Sequence, residues 1–144
     1  MESQKKFPVT YSFELFPPQT PEGIEKLRLT CNRLAQYHPK FFSVTFGAGG
    51  STRERTLETV LEMKAKGYVV APHLSCIGST RNNILEILEK YHQTGIQHIV
   101  ALRGDLPSGM AQAGEFRYAS ELVAFIRQEF GDWFHIDVAA YPEY

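Results

Sequence analysis

The 144-residue chain has a formal charge of −1, with 43% hydrophobic and 22% charged residues, a balance that can bury a core. A nucleic-acid or anionic-membrane partner would favour a basic face, and near-neutral charge argues against both. Met1 to Phe7 is polar, carries Lys5 and Lys6, and leads into no uninterrupted apolar stretch. An ordinary signal peptide is therefore not expected. Nothing later approaches the roughly 18 apolar residues of a spanning helix, and a cytoplasmic protein is expected. Cys31 and Cys76 stand far apart without metal-ligand spacing, which reads as two buried thiols in a reducing compartment. The five histidines form no HExxH or comparable motif, so no metal is expected.

One pattern repeats along the chain: a β-rich run, a turn, then an amphipathic helix. Val9 to Glu14 alternates strictly and predicts a strand. Pro17, Pro18 and Pro21 break it. Thr20 is a natural cap with Pro21 at the first helical position, and Ile24, Leu27, Cys31 and Leu34 share one helix face. Phe41 to Phe46 is the second strand, followed by the turn Gly47-Ala48-Gly49-Gly50. The next helix opens on the capping box Ser51-x-x-Glu54 and closes near Gly67. Tyr68 to Leu74 is the third strand. A helix from about Thr80 aligns Ile84, Leu88 and Tyr91, and Gly95 stops it. Gln97 to Leu102 is the fourth strand. After a longer loop comes a helix with Ala119, Leu122, Val123, Ile126 and Phe130, ended by Gly131; Phe134 to Ala140 is a fifth strand.

Strands alternating with helices at this spacing imply a parallel sheet with crossover helices. An open doubly wound sheet and a closed barrel both fit. The glycine turn argues against a dinucleotide-binding unit, because the third glycine of GxGxxG falls on Thr52 and the turn follows the second strand. The expected fold is a (β/α)8 barrel of the TIM type. A complete one takes roughly 250 residues. Four strand–helix units and a fifth strand make about the first half, so residues 1–144 read as the N-terminal portion of a single catalytic domain. Two open strand edges and an uncovered interior then require the remaining strands, or a partner that replaces them.

Parallel barrels work at the C-terminal ends of their strands. There the sequence places Glu14, Thr45, His73, Arg103-Gly104-Asp105 and Tyr141. Val9, Tyr11, Phe13, Phe42, Val44 and Phe46 take the helix-facing parity, whereas Thr10, Ser12, Glu14, Ser43 and Thr45 take the interior one. Glu14 precedes Leu15, Phe16, Pro17 and Pro18. A carboxyl in such apolar surroundings loses hydration and becomes a proton donor near neutral pH. The alternative is a structural glutamate paired with an arginine such as Arg103. Arg103-Gly104-Asp105 offers a donor fork, an uncovered backbone and an acceptor, but turn chemistry accounts for it equally. His73 is either a structural hydrogen-bonder or a catalytic group. The Gly47–Gly50 turn either cradles a phosphate at a helix N-terminus or simply turns.

Five segments then point the same way: Ser12-Phe13-Glu14-Leu15-Phe16-Pro17-Pro18, Ser43 through Thr52, His73-Leu74-Ser75-Cys76, Ala101 through Pro107, and Ala139-Ala140-Tyr141-Pro142-Glu143. In this order the chain resembles the methylenetetrahydrofolate reductase family. The resemblance implies reduction of 5,10-methylenetetrahydrofolate to 5-methyltetrahydrofolate by NADH or NADPH, ping-pong through bound FAD. It puts the family's catalytic glutamate on Glu14, which protonates the bridging folate nitrogen and opens the ring to an iminium that accepts hydride. Asp105 matches an aspartate near the flavin that also binds the pterin ring. Thr45, Phe46, Ala48, His73, Arg103, Gly104, Asp105, Tyr118, Ala119 and Tyr141 match cofactor contacts. A homo-oligomer is implied for the complete enzyme. Two departures stand out. The family's histidine after Tyr-Pro-Glu would lie beyond Tyr144, and Phe46 stands where a tyrosine is often found.

Two other readings compete. One is a non-catalytic half-barrel that binds or assembles with a partner, which would sediment as a well-folded symmetric dimer. The other is a flavin-free, pterin-binding barrel methyltransferase, which would bind folate and not FAD.

Overall fold

The computed structural model describes residues 8–46, 50–105 and 114–140. Five strands and four helices alternate: β1 (Phe13–Leu15), α1 (Pro21–Ala35), β2 (Phe42–Val44), α2 (Gly50–Ala65), β3 (Val70–Ser75), α3 (Arg81–Gln93), β4 (His98–Leu102), α4 (Ala119–Phe130) and β5 (His135–Val138). The strands form one sheet in the order β1-β2-β3-β4-β5. Every neighbouring pair is parallel. Sequential order with a helix after each strand is how a TIM-type barrel is laid down, and this chain builds part of one.

The helix boundaries follow the local signals. The Thr20 hydroxyl accepts from the Gly23 N–H at 3.1 Å, and Pro21 begins α1. The Thr80 hydroxyl accepts from the Asn83 N–H at 3.2 Å and starts α3. Gly67, Gly95 and Gly131 follow α2, α3 and α4 with positive φ. The Gly47–Gly49 turn lies outside the described residues, as do the side chains of Ser51 and Thr52, and with them the predicted capping box.

The strands are shorter than alternation suggests. Val9 is 91% exposed, and residues 9–12 take no strand conformation. A ladder needs a partner, and β1 has one only where β2 lies opposite, at Phe13↔Phe42, Glu14↔Ser43 and Leu15↔Val44. A single backbone bond from the Lys40 N–H to the Tyr11 carbonyl, at 2.9 Å, extends the pairing backwards. At its far end β2 stops at Val44, so Thr45 and Phe46 lie past the strand. The third strand begins at Val70 rather than Tyr68 and runs on to Ser75.

Parity divides the sheet as expected. Phe42, Val44, Val70, Leu74, Ile99 and Ala101 pack in one core with Val60 and Met63 of α2, Ile84, Leu88 and Tyr91 of α3, and Leu122, Phe125 and Ile126 of α4. Each fully buried side chain of this size is worth about 1.5–3 kcal/mol relative to exposure. The opposite face carries Glu14, Ser43 and Ala71 in one row, and His73, Val100 and Asp137 in another. Both cysteines are buried and unpaired. Among the described residues no helix is long and apolar enough to cross a membrane.

Candidate active site at the strand ends

Glu14 sits at the centre of β1 on the face away from the helices, and its partner is His73. The carboxylate Oε2 lies 3.5 Å from His73 Nε2. The two side chains meet across β2 because the residues between them are small. Glu14 pairs with Ser43, Ser43 with Ala71, and His73 follows two residues later on the same face. Glu14 thus faces an imidazole and not Arg103, the partner of the alternative reading.

Among the described residues the apolar shell expected around Glu14 does not form. Its side chain is 55% exposed. Leu15 turns to the helix side and is buried, while Phe16 is 73% exposed and covers nothing. Consecutive residues on a strand point to opposite faces, so the neighbours of Glu14 in sequence are not its neighbours in space. His73 is the buried member of the pair, at 8% exposure. Burial pushes its imidazole below the ordinary histidine value, and the Glu14 carboxylate opposes that shift in part. At neutral pH His73 is therefore uncharged and presents one N–H donor and one bare nitrogen.

The Arg103-Gly104-Asp105 segment leaves the end of β4 beside β3. The Arg103 carbonyl accepts from the Ser75 hydroxyl at 2.9 Å and from the Ile77 N–H at 2.8 Å. Gly104 has φ +80°, and a Cβ there would lie 1.9 Å from Ser75 Oγ. Glycine meets both demands without strain, whereas any Cβ would have to displace the Ser75 hydroxyl. Arg103 and Asp105 are exposed beyond the strand end. The Arg103 guanidinium is held by its own loop, Nε donating to the Gly104 carbonyl at 3.1 Å.

The remaining predicted residues divide by position. Thr45 follows β2, half-buried; its N–H donates to the Leu15 carbonyl at 2.9 Å, and its own carbonyl accepts from Thr56 Oγ1 at 2.9 Å. Phe46 turns to the helix layer, where its ring lies 5.6 Å from the Arg53 guanidinium. It lines a cavity of about 250 Å³ with Leu57, Asn83 and Ile87. A ligand above the sheet would meet the Phe46 backbone and not its ring. Tyr118 and Ala119 form the start of α4. The Glu121 carboxylate accepts from the N–H groups of Arg117 at 2.6 Å and Tyr118 at 3.3 Å, and the bond from Arg117 chiefly holds it below the usual carboxylate range. Cys76 Sγ lies 3.8 Å from the Tyr118 carbonyl, which ties this helix start to the end of β3. Ala48 and Tyr141 lie outside the described residues.

One group of residues escaped the sequence reading. His98, His135 and Asp137 converge on the same sheet face, with His98 Nε2 at 2.7 Å and His135 Nε2 at 3.3 Å from the Asp137 carboxylate. Their interior parity was the available signal; the register that joins β4 to β5 was not.

A parallel strand–helix array with an acid, a neutral imidazole and a glycine-opened loop at one set of strand ends is part of a TIM-type barrel, and such barrels carry their sites at those ends. The chain belongs to the methylenetetrahydrofolate reductase family, whose model matches residues 1–144. It is 45% identical over 136 residues to the 5,10-methylenetetrahydrofolate reductase of Pectobacterium carotovorum, covering 94% of this chain and 44% of that protein. Against the 5,10-methylenetetrahydrofolate reductase of Escherichia coli the identity is again 45%, covering 94% and 45%. The Arabidopsis thaliana protein "Methylenetetrahydrofolate reductase (NADH) 1" is 43% identical over 138 residues, 92% of this chain and 23% of its own length. The chain thus spans less than half the length of these curated relatives.

Proposed function

We propose that this chain supplies the acid-bearing half of an NAD(P)H-dependent flavoprotein that reduces 5,10-methylenetetrahydrofolate to 5-methyltetrahydrofolate. In this reading residues 1–144 are the N-terminal portion of one (β/α)8 catalytic domain of a cytoplasmic homo-oligomer. The observation that carries it is the meeting of Glu14 with His73 on the open sheet face of a chain that belongs to this family.

The donor set fits a flavin. An isoalloxazine ring needs donors for its carbonyl and nitrogen acceptors and one acceptor for its ring N–H. Arg103 donates, Asp105 accepts, and Gly104 leaves the backbone bare for close approach, while neutral His73, its one N–H turned to Glu14, offers a flavin only its bare ring nitrogen. Thr45, Tyr118 and Ala119 flank the same strand ends, and Phe46 would contribute through its backbone; Ala48 and Tyr141 complete the assignment by resemblance. When bound, FAD supplies two-electron redox chemistry between the nicotinamide and the folate.

The protein's own part is acid–base and positional. Glu14 donates a proton to the bridging nitrogen of the folate, which turns a poor leaving group into a neutral amine. Asp105 accepts from the pterin ring N–H groups and fixes the ring's orientation. His73, neutral, holds the Glu14 carboxyl through its N–H; the 3.5 Å gap is loose, as unliganded catalytic pairs often are. Closure of the barrel and stacking of the ring systems would remove water from Glu14, giving the desolvation that the exposed carboxyl lacks here. Since NADH oxidation needs no proton on the folate, the two half-reactions should separate.

Glu14→Gln in the intact enzyme tests this. Folate reduction should fall by about 10²- to 10⁴-fold, the usual contribution of a general acid. Bleaching of the flavin spectrum on anaerobic addition of NADH should persist. Retention of both half-reactions would remove Glu14 from the proton-donor role. An intact protein that binds folate without any flavin spectrum would favour a flavin-free pterin enzyme.

A further inference from the structure

We propose that His98, His135 and Asp137 form a binding site for one divalent transition-metal ion of the zinc class, on the barrel-facing side of β4 and β5. This does not rest on the flavin reading. The register sets up the site. His98 pairs with His135 and Val100 with Asp137, so two side chains of β5 at i and i+2 flank the one from β4 on a common face. One donor atom from each of the three lies within 4.8 Å of the others.

The donor set and its spacing suit that class of ion. Two imidazoles and a carboxylate with an open fourth position for water match the ligand preferences of zinc, whereas magnesium and calcium require oxygen ligands throughout. Ligand distances of about 2.0–2.1 Å place tetrahedral ligand atoms about 3.3 Å apart. His135 Nε2 stands 3.3 Å from Asp137 Oδ1. His98 Nε2 is hydrogen-bonded to the other carboxylate oxygen, Oδ2, at 2.7 Å, a bond that an ion held by all three residues would replace. His98 is buried, and its ring is braced by Phe41 at a centroid distance of 4.2 Å. In residues 1–144 the His135 side chain is 63% exposed and that of Asp137 38%, on the face that points into the barrel. Lys40, within electrostatic reach of His98, opposes a cation and tempers the affinity.

The competing arrangement is a dry His–Asp–His hydrogen-bond ladder, in which the carboxylate holds both rings and no ion enters. Zinc titrated into the metal-stripped full chain, against a chromophoric chelator, separates the two. One equivalent should bind, excess magnesium should not compete, and cobalt in its place should give the absorption of a tetrahedral nitrogen–oxygen site. His135→Ala, at an exposed position, and the near-isosteric Asp137→Asn should each weaken zinc at least about 10-fold, the effect seen even for outer-shell partners. The melting temperature should rise with zinc for the unaltered chain and rise less for both variants. Absence of stoichiometric binding, or variants that bind zinc as the unaltered chain does, would overturn the site and leave the ladder.

Discussion

Replacement of Gly104 by alanine tests whether the loop after β4 is built as described. Two costs are expected. The φ of +80° places an L-residue in the left-handed region, which costs about 1–2 kcal/mol. The new Cβ, 1.9 Å from Ser75 Oγ, would force that hydroxyl to rotate and so break its 2.9 Å bond to the Arg103 carbonyl, a loss of about 0.5–1.5 kcal/mol. Gly104→Ala should therefore destabilise the folded chain by about 1.5–3.5 kcal/mol in urea denaturation, with no change in the m-value. The same mechanism dictates the coupling. In a Ser75→Ala background the hydroxyl and its bond are already gone, so only the backbone cost remains, and Gly104→Ala should cost about 1 kcal/mol less. Ser75 Cβ and Ile77 Cγ2, each at 3.1 Å from the new atom, are tight but can yield. Two strictly additive substitutions, or a single-variant loss below about 0.5 kcal/mol, would refute this account of the close approach.

Two further outcomes follow from the same geometry. His73, held below the ordinary histidine value of 6.5 by burial against the pull of Glu14, binds fewer protons folded than unfolded below that value. Its stabilising contribution is thus full above about pH 6.5 and is lost as the pH falls towards the depressed folded value. Thermal midpoints at about pH 7.5 and about pH 5.5 should lie closer together in His73→Gln than in the unaltered chain; equal separations would contradict the buried neutral imidazole. His98 shifts in the same direction by burial and is common to both proteins, so the difference isolates His73. Thr80→Ala should cost about 1 kcal/mol through loss of the cap on the Asn83 N–H, with Thr80→Ser restoring most of it; an unchanged urea midpoint would remove the cap from the account of how α3 begins.

What could be read from the residue order, and what could not, follows from the range of each interaction. Helix starts and stops are local: Thr20, Thr80, Gly67, Gly95 and Gly131 act on backbone groups within one turn and are visible as residue types at fixed offsets. The two faces of the sheet are local as well, since parity alone separates Phe42 and Val44 from Ser43. Strand length is not. Val9 to Ser12 alternates as well as any strand but lies outside the ladder, because β2 offers no partner residues opposite it.

The chemistry depends on the least local feature, which side chains meet across the sheet. Leu15 and Phe16 beside Glu14 suggested a dry carboxyl, yet the strand turns Leu15 to the opposite face and leaves Phe16 exposed, and the group that reaches Glu14 is 59 residues away at His73. That contact requires Ser43 and Ala71 to be small and the β1–β2–β3 register to hold, and neither condition is visible from one strand alone. The same reasoning applies to His98, His135 and Asp137. No spacing motif joins residues 37 and 39 positions apart, but a parallel register of His98 with His135 brings their donors together as surely as a helical turn would. In a parallel barrel each strand contributes only one or two inward groups near its end, so a site is always assembled from several such alignments. The sequence of a strand therefore specifies which chemistry it can offer, and the register with its neighbours decides which of those groups act together.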